Sequence, residues 1–217
     1  MSLLLSLVAL ATAVPAHSQV IISSADYPLA ALREHREGTV RYQLTISDQG
    51  VPIRCDITSS SGSADLDRET CAALTQRAHF SPMLDSHRQP IASIFRNQVN
   101  WTLPGSRPPK DAPKGAVDIV ATVNRLPDGF EDPTIARVTV LVDQHGALSE
   151  CNPWAPPVFV EKKIKTAALK IADKLGSTAC SIVESQLKPS AALDGQGQAI
   201  RSLQPVTVLF EVRPSGR

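Results

Sequence analysis

The sequence predicts an α+β fold made of two tandem units. Each is a small antiparallel sheet in β-β-α-β order packed against one or two helices. Three observations lead there. Two segments alternate apolar and polar residues around a turn, a helical stripe follows each of them, and the second half of the chain can be laid on the first at constant offsets.

The 217 residues carry a formal charge of +1 and are 42% hydrophobic, a composition suited to one large or two small globular domains. No basic run exceeds "EKKIK", so nucleic acid, which needs a concentrated cationic face, is not an expected partner. Residues 3–14 form an apolar run, and Ala16 and Ser18 supply small residues at the spacing of a signal-peptidase site. The expectation is a cleaved signal peptide over residues 1–18, a mature start at Gln19 and an oxidising compartment. No Lys or Arg precedes the run, and an uncleaved membrane anchor is the alternative.

The first hairpin is written in its periodicity. Val40, Tyr42, Leu44 and Ile46 alternate with Arg41, Gln43, Thr45 and Ser47; Asp48-Gln49-Gly50 turns the chain; Val51, Ile53, Cys55 and Ile57 continue the apolar row. The following segment, residues 61–80, reads as a helix. Ser63 or Asp65 can cap it, Asp67 and Glu69 suit the positive end of its dipole, and Cys71, Leu74 and Ala78 share a stripe. A strand holding Phe95, Val99, Trp101 and Leu103 on one face closes the unit, with Arg96, Gln98, Asn100 and Thr102 on the other. Residues 104–115, with four prolines in "PGSRPPKDAPKG", read as an extended linker.

At an offset of 96, residues 40–55 match 136–151, with Arg137, Gly146 and Cys151 in the places of Arg41, Gly50 and Cys55. At an offset of 109, residues 71–103 match 180–212 without a gap. A longer helix over residues 158–176, its apolar side Val160, Ile164, Ala168, Ile171 and Leu175, fills the difference, and Gly176 is expected to stop it. The closing strand carries Val206, Val208, Phe210 and Val212 on one face.

The four cysteines, Cys55, Cys71, Cys151 and Cys180, include no C-x-x-C and no nearby histidine, which leaves a zinc site without support. Four cysteines allow three pairings, and spacing alone does not choose. Packing the helical stripe on the hairpin's apolar row brings Cys71 over Cys55, and the repeat then pairs Cys151 with Cys180. Two separate buried thiols are the alternative for Cys55 and Cys71.

Catalytic candidates have plainer readings. His17, His35, His79, His87 and His145 are scattered, "SSSGS" lacks the G-x-S-x-G pattern, and no pair of carboxylates is placed in one cleft by spacing. No catalytic residue, metal, cofactor or small-molecule substrate is therefore expected.

Residues 25–103 resemble the TonB C-terminal domain family. The resemblance is carried by Tyr27-Pro28 before a short helix, Gly38 before the first strand, the Asp48-x-Gly50-Val51 turn, Ser60-Ser61-Gly62, Leu66-Asp67, and Phe80-x-Pro82. Residues 116–217 look like a divergent second copy, in which "AVDIVATVN" replaces the short helix with an extra strand. The resemblance implies a domain over residues 19–103 that works in the periplasm, as part of TonB-dependent transport across the outer membrane. It would bind a short segment of an outer-membrane receptor, the TonB box, by adding it as a strand. It also implies the site: the edge of the last strand, with Arg96, Gln98, Asn100 and Trp101, and Tyr27 and Pro28 nearby. Because a second copy could cover that edge, a structural adaptor that no longer binds receptors is the other reading, and an uncleaved membrane-anchored transducer a third.

Overall fold

The computed structural model describes residues 22–106, 117–153 and 166–213, with side chains from residue 175 onward in the last helix. The expected signal peptide and most of the proline-rich linker lie outside these residues, as does the start of the expected long helix.

The first period-two segment forms β1 (Gly38–Ile46) and β2 (Pro52–Ser59), paired antiparallel. A short α1 (Leu29–Arg33) precedes them, and α2 (Ala64–Arg77) follows. Val40, Tyr42, Leu44 and Ile46 are all buried, and Leu66 and Leu74 of α2 pack on them. Ser63 takes the N-cap position but makes no capping bond, because its hydroxyl accepts from Arg36 instead. Then come the small hairpin β3 (Met83–Leu84) and β4 (Pro90–Ile91), and the long β5 (Ser93–Trp101), which pairs with β1 along its whole length.

The second half has β6 (Ile119–Val123), β7 (Thr134–Val142) and β8 (Leu148–Pro153), then α3 (Thr166–Gln186). A second small hairpin, β9 (Ala192–Leu193) and β10 (Ala199–Ile200), leads into β11 (Ser202–Val212). β7 and β11 pair so that Val142 faces Ser202, as Ile46 faces Ser93 in the first half. At the offsets of 96 and 109 these are corresponding positions.

Two expectations are corrected here. Gly176 does not end a helix: α3 runs through it to Gln186. A Cβ at Gly176 would come within 2.6 Å of the Pro153 side chain, so glycine is needed for α3 to approach the end of β8 rather than to terminate a turn. The two halves also do not form two separate antiparallel sheets. They share one seven-stranded mixed sheet of order β2-β1-β5-β11-β7-β8, with β6 added to β11. The seam is a parallel pairing of β11 with β5 at Leu203 and Ser93, held by the Leu203 N–H donating to the Ala92 carbonyl at 2.9 Å.

The two helices cover opposite faces of this sheet. α3 packs on Ala136, Val138, Val140 and Val142, together with Val206, Val208 and Phe210. Leu141 and Leu203 have the opposite phase and so face the other way. They are covered by Ile91 of the first half's small hairpin. Arg201 reaches Asp85 in that hairpin's turn, and Ser86 donates to Glu150 of β8. The second half's hairpin crosses in return, bringing Gly195 against the Ile53 carbonyl at the start of β2. Each half thus lends a small hairpin to the other.

Four turns of the fold share one design. Ser47, Asp85, Asp143 and Asp194 each accept, through the side-chain oxygen, the backbone N–H groups two and four residues on. The fourth residue of each turn is left-handed: Gly50, Gly146, Gly197, and Arg88 at φ +62°. Backbone N–H donation by Gln89 and by Ala147 holds the Asp85 and Asp143 carboxyls below their ordinary pKa. Arg88 is the exception to glycine, and a left-handed non-glycine residue costs about 1–2 kcal/mol. Arg88→Gly is therefore expected to stabilise the protein by about 0.5–1 kcal/mol, after allowing for glycine's extra unfolded-state freedom. A rise in the urea midpoint at constant slope checks it.

The cysteine pairing read from periodicity and repetition is the one found: Cys55–Cys71 joins β2 to α2, and Cys151–Cys180 joins β8 to α3. No described helix is long and apolar enough to cross a membrane.

Candidate binding edge

β5 has two edges. One is filled by β1; the other meets β11 at Ser93 alone among the described residues, after which the strands diverge. Ala92 sends its carbonyl to that outer side, so the alternation of a strand sends the backbone groups of Ile94, Arg96, Gln98 and Asn100 there as well. The Gln98 N–H confirms the phase: it donates to its neighbour's Asn97 Oδ1 at 2.9 Å rather than to the ladder with β1. A row of backbone donors and acceptors from Arg96 to Asn100 is what a stretched peptide pairs with.

The side chains around the edge divide into support and surface. Trp101 is buried, 3% exposed, and its Nε1–H donates to Thr70 Oγ1 at 2.9 Å, while Thr70 donates to the Leu66 carbonyl at 2.8 Å. Its indole is thus core and not an outward grip, and by the strand's alternation its backbone groups point to β1, where it pairs with Gly38. Tyr27 stands edge-on to Trp101 at 5.3 Å between ring centroids and donates its hydroxyl to the Arg36 carbonyl. Burial, then the charge of Glu37, pushes the Tyr27 hydroxyl above its ordinary pKa. Pro28 caps α1 from the extended region. Tyr27 therefore braces the end of β5, together with Glu37, whose carboxylate accepts the Leu103 N–H. That bond, followed by one from the Ser106 hydroxyl, lowers the Glu37 pKa. Arg96, Gln98 and Asn100 are on the face away from α2, and Asn100 accepts from Thr39 and Gln98.

At the root of the edge Arg96 spans the two halves. Its guanidinium donates to Gln43 Oε1 at 2.9 Å, to Asp118 Oδ1 at 3.1 Å and to the Pro205 carbonyl at 3.4 Å. The cleft behind it, about 250 Å³, is shared by Ile94 and Gln43 of the first half with Ala192 and Gln204 of the second. Sequence reasoning missed two residues here, Asn97 and Asp118. Asn97 gave no signal, because a short polar side chain in a strand is ordinary. Asp118 stands just before an apolar run, which marks where a strand starts without showing what it pairs with.

The loop between β2 and α2 is held by Asp67, which accepts from the Ser60 and Ser61 hydroxyls and from the Ser61 N–H. Burial by itself would raise the Asp67 pKa, but these donors outweigh it and the net shift is downward. A lowered folded-state pKa contributes stability that is full above the unfolded value and is lost as pH falls through the folded one. Asp67→Asn is expected to cost stability at neutral pH and to flatten the loss of stability on acidification below about pH 5. Denaturant midpoints measured from pH 7 to pH 2 check both.

The family model for the Gram-negative bacterial TonB protein C-terminal matches residues 23–103. That stretch comprises α1 through β5, including the edge just described and its supporting residues. The match does not extend into the second half. No curated protein and no solved structure matches the chain. Residues 23–103 are thus similar to a TonB C-terminal domain, and the match covers less than half of the chain.

Proposed function

We propose that this protein is a periplasmic binding module of the TonB transport system that takes extended receptor segments as an added strand on the outer edge of β5. The observation that carries the reading is the open backbone row at Arg96, Gln98 and Asn100 within the stretch that matches the TonB family. The same match and the two disulfides support a periplasmic location, reached through removal of residues 1–18. The second half, on this reading, is a diverged copy of the first. It has the same strand register, corresponding disulfides and the same turn chemistry, although the family model matches only the first half.

Calorimetric titration of the full chain with TonB-box peptides tests the reading. Saturable heat is expected, and silence at high micromolar peptide would sink it. A second reading, an adaptor with its edge already occupied, draws on β11 and Asp118 sitting at the root of that edge. Hydrogen exchange separates the two. Fast exchange at Arg96, Gln98 and Asn100 without ligand fits an open edge, and strong protection fits the adaptor. An intact mass that retains residues 1–18 would instead point to a membrane-anchored transducer.

A further inference from the structure

In each half one sheet face lies under that half's own helix and the other is open. Val208 and Phe210 of β11, Ala136 of β7, and Ile119 and Ala121 of β6 share one core with α3. The alternation of the strands therefore turns Leu209, Ile135 and Val120 to the open face. Register sets them side by side: Val120 is opposite Leu209, and Leu209 is opposite Ile135. They form an apolar row across three strands, in which Val120 is 56% exposed, Ile135 41%, and Leu209 half-buried.

The first half shows what the corresponding positions hold when water alone meets them. At the offset of 96 Ile135 stands in the place of Thr39, and at the offset of 109 Leu209 stands in the place of Asn100. Thr39 and Asn100 are polar and bond to each other at 2.9 Å. The second half puts two apolar side chains there, and the added strand β6 supplies a third. Solvation alone favours the opposite exchange, because the wet face of a sheet is ordinarily polar.

The surroundings of the row are polarised along the strands. Glu211, two residues beyond Leu209, is exposed at one end, and Arg137, opposite Thr207, is exposed at the other. Further along the same face, six residues back on β11 and roughly 20 Å away, the small hairpin carrying Ile91 covers Leu203 and Leu141. Packed sheets stand only about 10 Å apart, so a second sheet laid in the same direction would set hairpin against hairpin and Glu211 beside Glu211. Turned end for end, its hairpin stands past the end of the first sheet, and the Glu211 of each copy lies toward the Arg137 of the other.

We infer that this row is a self-complementary interface with a second copy of the chain, related by a two-fold axis across the strands, with Leu209 at its centre and Glu211–Arg137 pairs at its rim. The patch is small, so the dimer is weak, with a Kd of about 10–100 μM. The row lies outside the family match and away from the edge of β5, and the inference does not depend on the receptor reading.

Sedimentation velocity on the full chain, from about 1 to 500 μM, tests it. A monomer–dimer equilibrium is expected. Val120→Lys, at the most exposed of the three positions, is expected to weaken association about tenfold or more. Arg137→Glu is expected to weaken it about fivefold, and adding Glu211→Arg to bring it back to within about twofold of the parent, because the pair is then restored with its sense exchanged. Circular dichroism matching the parent establishes that each variant is folded. A monomer across the whole range would overturn the inference and leave the row to a different partner. A dimer that Val120→Lys leaves unchanged would overturn it by placing the contact elsewhere. A doubly exchanged variant no tighter than Arg137→Glu alone would overturn the end-for-end arrangement and the inference with it.

Discussion

Serine at both Cys151 and Cys180 is expected to lower stability by about 3–4 kcal/mol, because the bond closes a loop of 29 residues that the unfolded chain would otherwise leave open. Among the described residues β8 is an outermost strand paired with β7 alone, and α3 docks on it through this bond and through the close approach of Gly176 to Pro153. The Cys55–Cys71 loop spans 16 residues, and the same model gives about 3 kcal/mol for it. Guanidinium unfolding of the double variant against the parent checks the larger figure. An unchanged midpoint would mean that packing alone fixes α3 on β8.

Gly50→Ala is the second large effect. Gly50 is left-handed at φ +78°, and an added Cβ would lie 2.0 Å from the Phe80 carbonyl oxygen. The Gly50 carbonyl meanwhile accepts the Phe80 N–H at 2.9 Å, so the turn and the exit from α2 are locked together. Backbone strain of about 1–2 kcal/mol plus displacement of that exit gives an expected loss of about 3 kcal/mol or more. Phe80 packs on Phe95 with ring centroids 5.0 Å apart, so the disturbance should reach β5 and appear as amide shifts at residues 94–98. Gly146→Ala is the milder control, since its Cβ would meet the Pro189 carbonyl at 3.1 Å.

These two sites also show what could be read from the sequence. The hairpins were legible because a strand with one buried face must alternate, although in the row expected for the second strand Val51 and Ile53 are exposed and Pro52 is buried instead, past an irregularity at Thr45/Ile46; once Cys55 and Cys71 had faces, their pairing followed. The TonB-like half was legible through a run of turn and loop residues, Tyr27-Pro28 to Phe80-x-Pro82, each tied to a backbone need. The joining of β5 to β11 was not legible. Edge pairing leaves no mark on side-chain alternation, and one seam pair, Leu203 with Ser93, decides between two sheets and one. Gly176 misled for a related reason: glycine stops helices through its backbone freedom but also admits close neighbours, and only the position of Pro153 tells which applies. Trp101 was placed in the core by its phase, yet its bond to Thr70, which ties β5 to α2, has no local signature.

The crossed hairpins have a consequence for anyone who would amputate this protein. A fragment ending near residue 106 would contain every residue of the TonB match, yet Ile91 would hang over empty water in place of Leu141 and Leu203. Such a truncate is expected to stick to itself or to seek a foreign apolar cover. Its behaviour would then report on the cut rather than on the molecule.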